Sequence, residues 1–245
     1  MSEKGDEFDR TVWYIGGLAG PQIVEYTKNI IEMQRSVVAE YGYNLRDIDP
    51  ERGPSVRSII DYGNETVGPA MRNMTENDVV VVMSAGRQIF LYQYLVLKVP
   101  CKANICFVET TNGGLPWIAI KLMNILNVFT HGDHVDSESA FCKDLRPNSR
   151  VNREITKNMG LFRPDVQVVG NFTGMFGKFR IGPWKIGNFQ IGPFDPLGVA
   201  AMFEPLPDTK TIVFPSGHKE LLSHEALIRQ MFAAAGIKKL ENVSV

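Results

Sequence analysis

Cysteine is scarce in this chain. Its 245 residues include 3, Cys101, Cys106 and Cys142, an odd number with no CxxC spacing. That argues against a disulfide framework and for a reducing, cytoplasmic compartment. Charge of one sign is lacking too, with 26 Lys plus Arg against 27 Asp plus Glu and a formal net charge of -1. So balanced a chain has no global attraction for phosphate backbones or anionic lipid, and binding to either would need a local patch. None is evident in the sequence, so neither a membrane nor a nucleic acid is expected as partner. Long apolar runs are missing as well: Val79 to Met83 falls far short of the roughly 18–20 residues that span a bilayer. Met1 to Arg10 is acidic and polar, unlike a secretory leader.

What is present alternates between two periodicities. Thr11 to Ile15 is β-branched and aromatic and runs into Gly16-Gly17-Leu18-Ala19-Gly20-Pro21, which predicts a strand ending in a tight turn. Ile23, Ile30 and Val37, with Val24, Ile31 and Val38, then recur at helical spacing, and Gly42 is placed to cap the helix in the left-handed conformation. A weaker strand over Tyr43 to Ile48 follows, then a helical stretch capped by Ser55 and another around Val67 to Met74. Val79 to Met83 reads as a strand buried on both faces, as in parallel sheets. Ser84-Ala85-Gly86 turns into a helix over Gln88 to Val99, and Ala103 to Val108 is the next strand. A helix with Pro116 in its first turn runs through Phe129. The expected fold is α/β: a doubly wound, mainly parallel, Rossmann-like sheet in three layers.

Beyond His131 the pattern loosens. His131 to Arg150 is polar, Arg150 to Met159 is a short helix, and Asp165 to Gly170 and Thr209 to Phe214 are strands. A final helix carries Leu227, Ile228, Met231, Phe232 and Ala235. Between those strands lies a segment rich in Gly, Phe and Pro, read as a β-hairpin or loop insertion near residues 171–207. The domain reading is thus an α/β unit over 1–170, an inserted arm over 171–207, and the last strand and helix of the same unit over 208–245. Inside the arm, Phe179-Arg180-Ile181-Gly182-Pro183, Trp184-Lys185-Ile186-Gly187-Asn188 and Phe189-Gln190-Ile191-Gly192-Pro193 repeat at five residues and close on Phe194. An odd period cannot hold one face along a flat strand, so each glycine marks a bulge or turn. The Phe179 to Phe194 arm is either a hydrophobic flap or homo-oligomer contact, or a lid over a ligand.

Three groups of residues could carry chemistry. Gly16, Gly17 and Gly20 precede a helix, where close backbone approach and free N–H groups attract an anion. Arg87, Glu109 and Asn112 follow neighbouring strands, where Arg87 could pair with an anion and Glu109 or Asn112 could bind hydroxyls. His131-Gly132-Asp133-His134-Val135-Asp136-Ser137-Glu138 concentrates two histidines and three carboxylates, suited to acid/base work, a metal, or merely a solvated loop. Cys142 has no activating neighbour in sequence and reads as inert.

The order Tyr14-Ile15-Gly16-Gly17-Leu18-Ala19-Gly20-Pro21, Tyr41-Gly42-Tyr43 and Asn77-Asp78-Val79-Val80-Val81-Val82-Met83 is similar to the front half of nucleoside 2-deoxyribosyltransferases, over about 100 residues. The resemblance implies that the Ala-Gly-Pro strand end helps bind a nucleoside and that a glutamate on the helix after the third strand attacks the sugar. Here Gln88 to Val99 contains no acidic residue, with Tyr92 and Gln93 in that region, so the nucleophile does not carry over. The glycine turn also resembles that of aspartate and glutamate racemases, whose two cysteine contexts this chain does not reproduce. The expected function is an enzyme on a nucleotide, nucleoside or sugar-phosphate, a glycosyl-type transferase. Gly16, Gly17, Gly20, Arg87 and Asn112 would hold a small anionic substrate, and Glu109, His131 and Asp133 would move protons. The alternatives are a hydrolase using the His131 to Glu138 cluster, with or without a metal, and a non-catalytic oligomeric assembly protein. No cofactor is legible in the sequence.

Overall fold

The computed structural model describes residues 7–16, 21–49, 57–108, 121, 136, 138–160, 162–170, 184–186, 189–191, 209–214 and 221–240. Its centre is a six-stranded sheet, all parallel, made of β1 (Thr11–Ile15), β2 (Asn44–Asp47), β3 (Val79–Met83), β4 (Asn104–Val108), β5 (Val166–Gly170) and β8 (Lys210–Phe214). The order is β2-β1-β3-β4-β5-β8. The three-layer α/β expectation therefore holds. A separate antiparallel ribbon of β6 (Trp184–Ile186) and β7 (Phe189–Ile191) lies within the predicted insertion.

The apolar run in β3 belongs to the middle of the sheet because its two faces feed two cores. Val80 and Val82 join one apolar cluster, while Val79 and Val81 join the other. β4 divides the same way, Ile105 and Phe107 against Cys106 and Val108. One face is covered by α1 (Pro21–Ala39) and by α7 (Glu225–Ala234), through Ile30, Ile31, Val37, Val38, Met231 and Phe232. The other is covered by α2 (Ile59–Tyr62), α3 (Gly68–Asn73), α4 (Gly86–Leu91), α5 (Ala140–Leu145) and α6 (Arg150–Asn158). Alternate side chains of one strand thus bury against different helical layers, as a parallel sheet covered on both sides requires.

Several local readings are corrected. The cap of α2 is Ser58, whose hydroxyl accepts from the Asp61 N–H, rather than Ser55; Ser55 itself lies outside the described residues. The polar stretch after His131 contains α5, capped by Ser139. The helix after β3 starts at Gly86 and continues over Tyr92–Val96 as a π-helical segment. Gly42 takes φ 74° and caps α1 as its sequence position implies. The helix expected around Pro116 to Phe129 lies outside the described residues. Among the described residues, no helix is long and apolar enough to cross a membrane.

Strand order reverses between β1 and β3: from β1 the chain steps to β2 on one side, then crosses to β3 on the other. In open α/β sheets the carboxyl ends of the two strands at such a reversal diverge into a crevice, where ligands bind. Here those ends are Ile15 with Gly16, and Met83 with Ser84.

Candidate functional site

The strained residue of the site is Ser84. Its φ is 53°, one of two positive values among described non-glycine residues, in a region that costs an L-residue about 1–2 kcal/mol. Three backbone hydrogen bonds hold it there. The Ser84 N–H donates to the Val108 carbonyl at 3.2 Å, the Arg87 N–H to the Ser84 carbonyl at 3.3 Å, and the Gln88 N–H to the Ala85 carbonyl at 3.1 Å. The chain consequently passes from β3 into α4 through Ser84 and Ala85 alone, with Ser84 partly exposed and Ala85, Gly86 and Arg87 buried.

Gly86 is what permits so sharp a turn. A Cβ there would sit 2.7 Å from the carbonyl oxygens of both Ile15 and Gly16. The start of α4 therefore packs directly on the end of β1, and the two strand ends at the reversal meet at one point. The N–H of Ala85 lies at the opening of α4, where the first N–H groups have no carbonyl one turn earlier to bond. Beneath the turn, the Tyr14 hydroxyl donates to the Met83 sulfur at 3.2 Å.

Arg87 is only 3 % exposed. Burial pulls its guanidinium down to about 10, still charged at neutral pH, and its Nη2 lies 4.0 Å from the Met159 sulfur. The thiols are unsuited to nucleophilic use. Burial pushes Cys106 up to about 12 and Cys101 up to about 11 and also raises Cys142, so each stays protonated.

Of the residues singled out from sequence, Gly16 lies at the end of β1 against Gly86, and Arg87 is buried in the first turn of α4. Gly17, Gly20, Glu109, Asn112, His131 and Asp133 lie outside the described residues. The described members of the histidine and carboxylate cluster are Asp136 and Glu138, and they serve the approach to α5. Asp136 Oδ1 accepts from the Glu138 N–H at 2.9 Å, and Glu138 pairs with Arg146 at 2.9 Å and Lys143 at 3.9 Å. Among the described residues there is no group of three side chains that could hold a metal ion. Sequence reasoning took Ser84 for an ordinary turn residue. The signal was a serine one step past a buried strand with glycine two residues on, as in G-x-S-x-G; Val82, standing where that pattern has its first glycine, obscures it.

No protein-family model matches the chain, and no curated protein matches it by sequence. Solved structures are similar in fold. The mature form of Bacillus licheniformis lipase BlEst2 aligns over 95 % of this chain and 94 % of its own, with 12 % identity and a TM-score of 0.53. Its propeptide form aligns over 96 % of this chain at 10 % identity and a TM-score of 0.57, and the chain spans 52 % of that protein's length. Bacillus anthracis bromoperoxidase aligns over 94 % of this chain and 92 % of its own, at 12 % identity and a TM-score of 0.52. These are α/β-hydrolase-fold proteins.

That finding overturns the transferase and nucleotide-binding expectation, which rested on the glycine turn after β1. Such a turn is common to many α/β sheets. In this one the end of β1 abuts Gly86, and the strained, partly exposed nucleophile-type residue stands after β3, in the turn and not on the following helix.

Proposed function

We propose that the protein is a serine-type hydrolase of carboxylic esters with Ser84 as nucleophile. The observation that carries this is the left-handed Ser84 at the β1/β3 reversal, because a strand-to-helix turn of that kind presents a serine Oγ above the sheet. Ser84 Oγ attacks the acyl carbonyl and a general base takes its proton. The resulting oxyanion accepts from the Ala85 N–H together with an N–H of the glycine turn that follows β1. The alcohol leaves with the proton returned by the base, and water then cleaves the acyl-serine by the same route in reverse. The names of the structurally similar proteins, two forms of a lipase among them, support the ester class.

His218 is the base in this reading. It follows Phe214, the last residue of β8, by four positions in the sequence, which suits the Ser, acid, His chain order of this architecture. The acid is Glu109 or Asp195. Glu109 is the residue after Val108, whose carbonyl holds the Ser84 N–H, and Asp195 is the first carboxylate in the sequence after β5. His218, Glu109 and Asp195 lie outside the described residues, so their roles rest on chain order.

The test is a fluorophosphonate probe with a p-nitrophenyl ester assay. Wild-type protein is labelled on Ser84, and Ser84→Ala loses labelling and at least about 10³-fold in kcat. His218→Ala falls comparably, and whichever of Glu109→Gln and Asp195→Asn falls furthest identifies the acid. Folded wild-type protein that takes no label, or Ser84→Ala that is still labelled, overturns the proposal.

A further inference from the structure

Beneath the Ser84 turn lies a hydroxyl and thioether pair that ester hydrolysis does not use. β1 and β3 run parallel with Tyr14 opposite Val81. Met83, two residues on from Val81, therefore shares a face with Tyr14 and is its diagonal neighbour, within reach of a long side chain. The contact is made, with the Tyr14 hydroxyl donating to the Met83 sulfur at 3.2 Å. Tyr14 is 5 % exposed, whereas Met83 is only partly buried, against the apolar cluster under α1 and α7. Met83 is also the residue that precedes Ser84.

The described methionines differ in how open they are to a solute. Met71, Met74 and Met231 are buried, while Met33 is 57 % exposed on α1. Met83 is open in part and is the one whose sulfur is hydrogen-bonded beside the strained serine. A peroxide oxidises a thioether by oxygen transfer. The sulfur lone pair attacks one peroxide oxygen, the S–O bond forms as the O–O bond breaks, and the departing hydroxide takes the proton of the transferred oxygen and leaves as water. Sulfur loses the two electrons that the peroxide gains. Thiolate oxidation does not compete at Cys101, Cys106 or Cys142, because burial keeps each of those thiols protonated.

Oxidation makes an apolar side chain polar, and its consequence falls on Ser84. The new oxygen is a stronger acceptor than the thioether, and the Tyr14 hydroxyl is already aimed at it. An O–H···O bond needs about 2.7 Å between its oxygens, with the sulfur standing beyond the acceptor, so the sulfur draws back from its present 3.2 Å. The turn has no slack to absorb that shift. The Ser84 N–H is tied to the Val108 carbonyl, and Gly86 packs on the carbonyls of Ile15 and Gly16 with no room for a Cβ.

We propose that Met83 is an oxidative modification site, through which a peroxide silences Ser84 and reduction of the sulfoxide restores it. This regulation rests on the reading of Ser84 as hydrolytic nucleophile.

The test treats the full chain with graded hydrogen peroxide. Peptide mass spectrometry reads the oxygen gained at Met83, and the rate of fluorophosphonate labelling reads Ser84. Labelling slows at least about ten-fold as Met83 is oxidised, and methionine sulfoxide reductases A and B restore it. The labelling rate of Met83→Leu, whatever its starting value, is unmoved by peroxide, whereas Met33→Leu stays sensitive. Met83→Gln, which sets an amide oxygen near the place of the sulfoxide oxygen, is labelled slowly without any peroxide. Should Met83→Leu fail to fold, the wild-type series and Met83→Gln still decide. Untreated protein that takes no label overturns this proposal together with the hydrolase reading. Labelling that is unchanged once Met83 carries oxygen, Met83 that gains none while Met33 does, or Met83→Leu that loses labelling as wild type does overturns this proposal alone.

Discussion

At Ser84 the backbone conformation opposes the residue type. A glycine would adopt φ 53° at no steric cost, so Ser84→Gly is expected to raise stability by about 1 kcal/mol while ending esterase activity; an unchanged or lowered melting temperature would refute the strain. Gly86→Ala has the opposite sign. Its methyl would press on two carbonyl oxygens at 2.7 Å, and backbone does not yield as a flexible side chain does. Chemical denaturation should show a loss of about 1–3 kcal/mol, with probe labelling of Ser84 lost as the turn opens. Gly42 and Ser84 mark how far single residues are legible in sequence. The role of Gly42 as a left-handed cap is local to its own helix and could be read directly. The left-handed conformation of Ser84 is imposed by the Val108 carbonyl on one side and the packing of Gly86 on the other, neither of which is adjacent in the pattern of residue types.

Elements were legible in proportion to how much of their cause is internal. The Val79–Met83 strand follows from its own composition, and so does the apolar stripe of α7. α5 does not: six residues long, it depends on Ser139 at its start and on the Asn152 side-chain amide, which donates to the carbonyls of Asp144, Leu145 and Arg146 at 3.0–3.2 Å. The two π-helical segments, Gly63–Val67 and Tyr92–Val96, are likewise tertiary. Gln93 lies against Gly63 and Gly68, where any Cβ would strike its amide, and donates to Asn64 Oδ1 at 3.0 Å. Strand ends are tied in the same manner. The buried Asp78 accepts from the Thr11 N–H at 2.7 Å and the Thr75 N–H at 2.8 Å, binding the start of β1 to the turn before β3. Asp78→Ala should therefore cost about 2–3 kcal/mol by urea titration, whereas an effect below about 0.5 kcal/mol would show that the tie is idle.

Over the whole molecule, charges late in the chain pair with Glu40, the residue that follows the first helix. Arg229 and Lys239 hydrogen-bond the Glu40 carboxylate, Arg229 the more strongly, and hold it down to about 2. A carboxyl lowered by folding adds stability above its ordinary range, and that contribution fades as pH falls toward the folded value. Glu40→Gln should thus melt below wild type at neutral pH, the gap narrowing with salt and closing near pH 2; a gap independent of pH would exclude the ion pair as its source. By itself, the sequence determined the α/β class and most strands, because periodicity and turn residues act within a few positions of themselves. Strand order and the meeting of Gly86 with the end of β1 were decided by tertiary structure alone. Each depends on contacts between segments far apart in the chain, and the residue types that form them are compatible with more than one partner until the sheet has chosen its neighbours.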